Sequence, residues 1–452
     1  MSLSILVVAI GFCITIVYLI KHAYVFQIKE YRFDRIRARM EDVGVLSFFY
    51  NLDIRIPSKK KPRNIGLLLI GSIILTVISA LLPQNVWVGV LLIVTAPIFA
   101  FILISIGVLI TRLPVALYRR NIIHKARTSL EYTRPTVIGI TGSYGKSTLK
   151  EYLFTLLSHS YKTAKTDRNQ NTAVGVALSI LKNLTKETKY FVAEIGAYKQ
   201  GEIDEVVRFT NPKYAVITAI GSQHLSLFGD KEALFKAKSE IALKLPKEGR
   251  LFIPSNMDKM LKLRLQRLVS CPIEEYEVVP HDPHESAVRG AVAVARHLGV
   301  PENIVQRAST DLIRPKHQLA QHHSRGYVYI DSSYSSNAEG CIAHMQMLRS
   351  IKKPKKLMLT SGIIELGRHK KDIYRKILQE FPPHTTMYTS DKMLKDVARS
   401  SQSRHIIYSP SHAKLTAMVE KVLDSESAIL IEGRFRSDYI ADIVGEGSPS
   451  SF

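Results

Sequence analysis

Val137-Ile138-Gly139-Ile140-Thr141-Gly142-Ser143-Tyr144-Gly145-Lys146-Ser147-Thr148-Leu149-Lys150 passes from a β-branched run, through three glycines, into a helical pattern. A loop that cradles a nucleotide phosphate is built in this way. Glycines let the backbone bend so that its N–H groups converge on an anion, and the helix that follows adds its positive end. The spacing is not a strict Walker A, which would place glycine where Ile140 stands. The strand–loop–helix context that the motif requires is present. Gly142, Ser143, Tyr144, Gly145, Lys146, Ser147 and Thr148 are therefore the expected nucleotide binders, with Lys146 on the terminal phosphates and the Ser147 hydroxyl on Mg²⁺. The plainer alternative is a glycine-rich turn followed by a solvated lysine.

The chain has 452 residues, room for two or three domains, and a formal charge of +23. Such an excess suits nucleic acid, an anionic membrane surface or phosphorylated substrates. Its placement favours the membrane, because residues 1–134 hold 17 Lys/Arg against 6 Asp/Glu and are also the most apolar third. Three scattered cysteines, Cys13, Cys271 and Cys341, form no CxxC pair, which argues against a structural zinc or a disulfide framework.

Three uncharged runs, Leu3–Ile20, Ile65–Leu82 and Val86–Ile110, can each span a bilayer as a helix. The first lacks a basic leader and a small-residue cleavage site, so it reads as retained. The loop between the first two runs carries eleven Lys/Arg, the turn at Pro83-Gln84-Asn85 carries none, and Arg112, Arg119, Arg120, Lys125 and Arg127 follow the third. By the positive-inside bias the N-terminus lies outside and everything past residue 110 is cytoplasmic, where ATP is. Phe33, Ile36, Met40 and Val43 recur at helical spacing, which suits a helix in the headgroup layer or one packed on the rest of the protein.

From about 133 to 312, strand patterns at Thr136–Ile140, Tyr190–Gly196, Tyr214–Ile220 and Arg250–Pro254 alternate with helical patterns at 146–159, 172–184, 201–209 and 231–245. This alternation predicts an α/β domain with a mainly parallel sheet and a ligand at the C-terminal strand ends. Three polar groups fall there: Glu194 inside an apolar strand, His224 just past Ile220, and Lys238 on the next helix. A carboxylate and an imidazole beside phosphates can hold a divalent ion. Singly, His224 would be an ordinary structural histidine, and Lys236 and Lys238 a solvated face.

Taken in order, Gly139–Thr148, Asn169-Gln170-Asn171-Thr172, Glu194-Ile195-Gly196-Ala197, Ile220-Gly221-Ser222-Gln223-His224-Leu225 and Lys236-Ala237-Lys238-Ser239-Glu240-Ile241 resemble the central domain of the Mur ligases. The nearest likeness is to the MurF type, which joins D-alanyl-D-alanine to UDP-N-acetylmuramoyl-tripeptide. The resemblance implies that Lys146 and the loop amides hold ATP. It implies that Ser147, Glu194 and His224 help to bind two Mg²⁺ ions, that Lys238 is carbamylated into a further metal ligand, and that Asn171 and Thr172 contact phosphate and acceptor. Departures occur at Pro254-Ser255-Asn256-Met257-Asp258 and at His284-Glu285-Ser286-Ala287-Val288, where the family's paired Asp and Asn residues are missing.

Residues 313–452 repeat the alternation, with strands at Tyr327–Ile330, Lys356–Thr360, Thr386–Tyr388, His405–Tyr408 and Ala428–Ile431, and predict a small Rossmann-like domain. Asp331-Ser332-Ser333-Tyr334-Ser335-Ser336-Asn337 and Ile364-Glu365-Leu366-Gly367 resemble further motifs of the same ligases, and the resemblance places Asp331 and Asn337 against ATP and the incoming amine. Ser332, Ala338 and Gln318 stand where the family has Asp, Pro and Arg.

The expectation is thus a membrane domain at 1–132, a P-loop-containing central domain at 133–312 and a Rossmann-like domain at 313–452. No counterpart of the family's first, UDP-sugar-gripping domain is evident. The implied activity is ATP-dependent amide ligation through an acyl phosphate, adding an amino acid or dipeptide to a muropeptide-like carboxylate, with membrane lipids and not nucleic acid as surroundings. Alternatives are a poly-γ-glutamate-type synthase, a membrane-anchored kinase of capsule export, and a relative that binds nucleotide without catalysis.

Overall fold

The computed structural model describes residues 3–51, 57, 62–81, 85–168, 170–220, 228, 230–279, 283–310, 321–324, 326–333, 338–363, 366, 369–400 and 405–444. The expectations for His224 and Asn337, and the motif positions Asn169, Gln318 and Glu365, lie outside them. The chain divides into two units, Met1–Asn121 and Ile122–Phe452.

The first unit is helical: Leu3–Ile28, Phe33–Val43, Val45–Tyr50, Pro62–Leu81 and Val86–Ile110. Leu3–Ile28 and Val86–Ile110 are long and apolar enough to cross a bilayer; the apolar stretch Arg63–Ile78 is shorter. Leu19, Phe26, Leu67, Ala96, Ala100 and Ile104 fill the interior. Small residues bring the first and last of these helices together, since a Cβ on Gly89 would stand 2.7 Å from Val7 Cγ1. Polar clamps add to this: Lys21 Nζ donates to the carbonyls of Phe48 and Phe49 at 2.8 and 2.7 Å. Trp87, Leu69, Ile73 and Leu91 face outward, and an apolar exterior of that extent suits a lipid environment. In Phe33–Val43 the expected stripe divides: Ile36 turns into the core, whereas Phe33 and Val43 stay exposed.

The second unit holds two six-stranded sheets. In the first, Thr136–Thr141 (β1), Thr163–Lys165 (β2), Tyr190–Glu194 (β3), Tyr214–Ile217 (β4), Arg250–Pro254 (β5) and Ile273–Tyr276 (β6) lie in the order β2-β3-β1-β4-β5-β6. Every pairing in it is parallel. The central strands β1, β3, β4 and β5 are buried and largely apolar on both sides because helices cover both faces. Ile138, Ile140, Val192 and Phe252 pack on one side with Leu149, Leu153 and Leu157 from the helix Lys146–Ser158. Val137, Phe191, Ala193 and Ile217 pack on the other. Ala126 and Leu130, from the helix Arg112–Thr133, join this second core. The unit therefore begins within that helix and not after it.

In the second sheet, Gln321–Ser324 (β7), Tyr327–Ser332 (β8), Lys355–Thr360 (β9), Thr385–Thr389 (β10), Ile406–Tyr408 (β11) and Ser427–Glu432 (β12) lie in the order β11-β10-β9-β12-β8-β7. All are parallel except β7, which pairs antiparallel with β8 at the edge. Apart from that strand, the sheet is parallel, as the alternation of strands and helices predicts.

The candidate nucleotide and metal site

In the first sheet the chain leaves β1 on one side to form β2 and β3, then crosses to β4 on the other. That reversal opens a crevice at the C-terminal end of β1, where ligands of such sheets bind. The residues Gly142–Gly145 fill it. Gly142 has φ +150° and Gly145 has φ +79°. A Cβ on Gly142 would stand 2.1 Å from Thr218 Oγ1, so only glycine fits there. Thr218, one residue past β4, holds the loop by donating to the carbonyls of Thr141 and Tyr144. The Ser143 amide donates to the carbonyl of Ala219. Lys146 opens the following helix, and its Nζ donates back to the Gly142 carbonyl at 2.8 Å.

Strand register brings the acid to the loop. Glu194, the last residue of β3, pairs with Ile140 of β1. The residue is 3% exposed, and an unpaired carboxylate at that depth would be costly. It is well partnered: Asn171 Nδ2 donates to Oε1 at 3.1 Å, Lys150 Nζ lies 3.3 Å from Oε2, and Ser147 donates as well. Burial pushes the Glu194 carboxyl up, but the charges of Lys150 and Lys146 and the two donors outweigh it, so it lies below the ordinary glutamate value.

Lys238, on the helix Lys231–Ser239, is 2% exposed. Burial and then the nearby charge of Lys146, against the opposing Glu202 and Glu240, lower its ammonium to about 7. Lys146 is lowered too, by burial, with Glu194 opposing. Lys236, by contrast, is exposed and pairs with Glu232 at 3.7 Å, as a solvated face would.

The structure thus gathers Lys146, Ser147, Asn171, Glu194 and Lys238 about one crevice. Thr172 has a local duty, since its hydroxyl caps the helix Ala173–Asn183 by accepting from the Gly175 amide at 3.3 Å. Asp331 lies near the end of β8 in the second sheet, where its Oδ1 accepts from the Ser333 amide at 2.9 Å. Lys150 is a member that sequence reading missed. A lysine after Lys-Ser-Thr reads as a solvated helix position, yet it is 1% exposed. The available signal was its place one turn after Lys146 on the same helix face.

The residues around the crevice fit the groups the pattern implies. Loop amides, a helix N-terminus and three lysines suit a polyphosphate. The oxygens of Ser147 and Glu194 are hard donors of the kind Mg²⁺ takes. Among the described residues, no three His, Cys, Asp or Glu side chains cluster as a metal cage. An ion here would therefore share its ligands with phosphates, as Mg²⁺ commonly does.

Comparison with known proteins agrees with this geometry. Residues 140–281 match the Mur ligase middle domain. The UDP-N-acetylmuramoyl-tripeptide–D-alanyl-D-alanine ligase of Buchnera aphidicola is 26% identical over 356 residues, 70% of this chain and 75% of that one. The ligase of the same name from Bacillus subtilis is 35% identical over 160 residues, 35% of this chain and 34% of that one. The MurF ligase of Thermotoga maritima, solved in complex with ADP, superposes with a TM-score of 0.63 at 21% identity, covering 74% of this chain and 84% of that one. Residues 140–281 of this chain thus carry a Mur ligase middle domain.

Proposed function

We propose that this chain is a membrane-anchored, ATP-dependent amide ligase that adds an amino acid or dipeptide to a muropeptide-like carboxylate. The observation that carries the reading is the gathering of Lys146, Ser147, Lys150 and Asn171 about the buried Glu194, with Lys238 close enough to Lys146 to feel its charge. Phosphoryl transfer needs charge neutralised in a fixed arrangement, and little else from the protein. Lys146 and the loop amides hold the phosphates. Ser147 and Glu194, with His224 and a carbamylated Lys238, would hold Mg²⁺, which neutralises charge developing on the phosphates. The acceptor carboxylate attacks the γ-phosphorus and ADP leaves. The amine then attacks the acyl phosphate, loses a proton, and inorganic phosphate departs from the tetrahedral intermediate. Asp331 and Asn337, on the domain that follows, are assigned to the amine.

The helices Leu3–Ile28 and Val86–Ile110, with Pro62–Leu81 as a third span, would anchor the chain with its N-terminus outside and its ligase part in the cytoplasm. The test is ADP and phosphate release by the full chain in detergent, together with the product mass, given ATP, Mg²⁺, UDP-muropeptides and D-alanyl-D-alanine. Release that requires both acceptor and amine supports the reading. ADP formed equally without either overturns it. Growth of a polymer from one free amino acid would instead select the poly-amino-acid synthase.

A further inference from the structure

We propose that Lys150 is a counter-ion shared between two carboxylates, bridging Glu194 and Glu151 and giving up Glu194 for Glu151 alone when Mg²⁺ and nucleotide bind. This rests on Glu194 being an Mg²⁺ ligand.

Lys150 Nζ lies 3.3 Å from Glu194 Oε2 and also 3.3 Å from Glu151 Oε1. Both partners are already in place, so a small swing of the ammonium gives up one and keeps the other. Their surroundings differ. The Glu194 side chain is 5% exposed and that of Glu151 38%. Glu151 is also paired with Lys165 Nζ, whose side chain is 28% exposed and lies over the Phe154 ring. Glu194, Lys150, Glu151 and Lys165 therefore form a chain of alternating charge from the crevice floor to solvent.

The chain answers an electrostatic difficulty. A buried carboxylate needs a cation, and Lys150 supplies it. A divalent ion on that carboxylate would meet the same ammonium with little water between them, where like charges repel strongly. Lys150 has no route to water of its own, being almost wholly buried. Glu151 is the partner it keeps, and since Lys150 faces Glu151 Oε1 while Lys165 holds Oε2, neither lysine has to leave. No buried charge is left unpaired at either end of the exchange. Lys150 on this reading is a positioning residue, not a catalytic one: it sets how readily Glu194 accepts the metal.

The test compares ADP affinity of the full chain in detergent, by calorimetry, with Mg²⁺ and with EDTA. Glu151→Gln lies away from the phosphates and is half-exposed. It should leave affinity in EDTA unchanged and reduce the Mg²⁺-dependent gain about 10-fold, because Lys150 stays on Glu194. In a Lys150→Met background the same substitution should change nothing. A merely structural role for Glu151 would lower affinity in EDTA as well and would persist without Lys150. An unchanged Mg²⁺ gain in Glu151→Gln, or an effect that survives in Lys150→Met, overturns the exchange. Glu194→Gln separates the two levels. If it abolishes the Mg²⁺ gain while Glu151→Gln does nothing, the exchange alone fails. If Glu194→Gln keeps the full gain, the metal assignment of Glu194 fails with it.

Discussion

Burial lowers Lys238 from 10.5 to about 7. An ordinary lysine is neutral in about 1 molecule in 3,000 at pH 7, whereas this one is neutral in about half. Only the neutral amine reacts with CO₂, so the site is prepared for carbamylation near neutrality. With ¹³C-bicarbonate, a carbamate resonance should grow between pH 6 and 8 and vanish in Lys238→Met. The shift also has a stability sign. The folded value lies below the unfolded one, so between about pH 7 and 10.5 the unfolded chain binds more protons and stability rises with pH. Below about pH 7 both states carry the proton, and the penalty stands in full at about 5 kcal/mol. In CO₂-free buffer at pH 6, Lys238→Met should therefore raise the melting temperature, by several degrees for a unit of this size. A folded, ADP-binding protein with no such resonance, or with Lys238 titrating near 10.5, would refute the reasoning.

Three further outcomes are expected. Lys146→Ala should abolish tight ADP binding by calorimetry; because the Lys146 charge helps to lower Lys238, it should also move the onset of the carbamate resonance to higher pH. Gly142→Ala should cost about 1–3 kcal/mol in denaturant titration and at least about tenfold in ADP affinity, since its Cβ meets Thr218 Oγ1 at 2.1 Å and its φ is +150°. Gly145→Ala, whose Cβ would have 3.8 Å of room, should show the smaller cost of its φ alone. The full chain should sediment with membranes and need detergent for release, whereas a chain beginning at Ile122 should remain in the supernatant; release of the full chain by high salt would count against spanning helices.

The phosphate loop and the lone acid of β3 were legible because each breaks its local pattern: glycines where β-branched residues end, and a carboxylate within an apolar strand. Thr163–Lys165 and Ile273–Tyr276 were not legible, being short edge strands with charged residues. Gln321–Ser324, with sequence Gln-His-His-Ser, reads as loop and is a strand only because β8 pairs with it. The helical pattern predicted over 231–245 ends at Ser239. Ser239 Oγ bonds back to the Phe235 carbonyl at 2.8 Å, and the Glu240 carboxylate turns to the amides of Gly201 and Asp204. Lys150 escaped because its spacing puts it on the helix face of Lys146 but does not show the buried partner, Glu194 of β3, that lets a lysine be buried there.

Thr218 fastens the phosphate loop through carbonyls on both sides of Gly142 and Ser143. The cradle is thus already braced, and an arriving triphosphate has little backbone freedom to quench. Lys146 has to give up its bonds to the Gly142 and Ser143 carbonyls. Nucleotide capture should accordingly be rapid, governed by ionic strength, and nearly indifferent to agents that loosen chain segments.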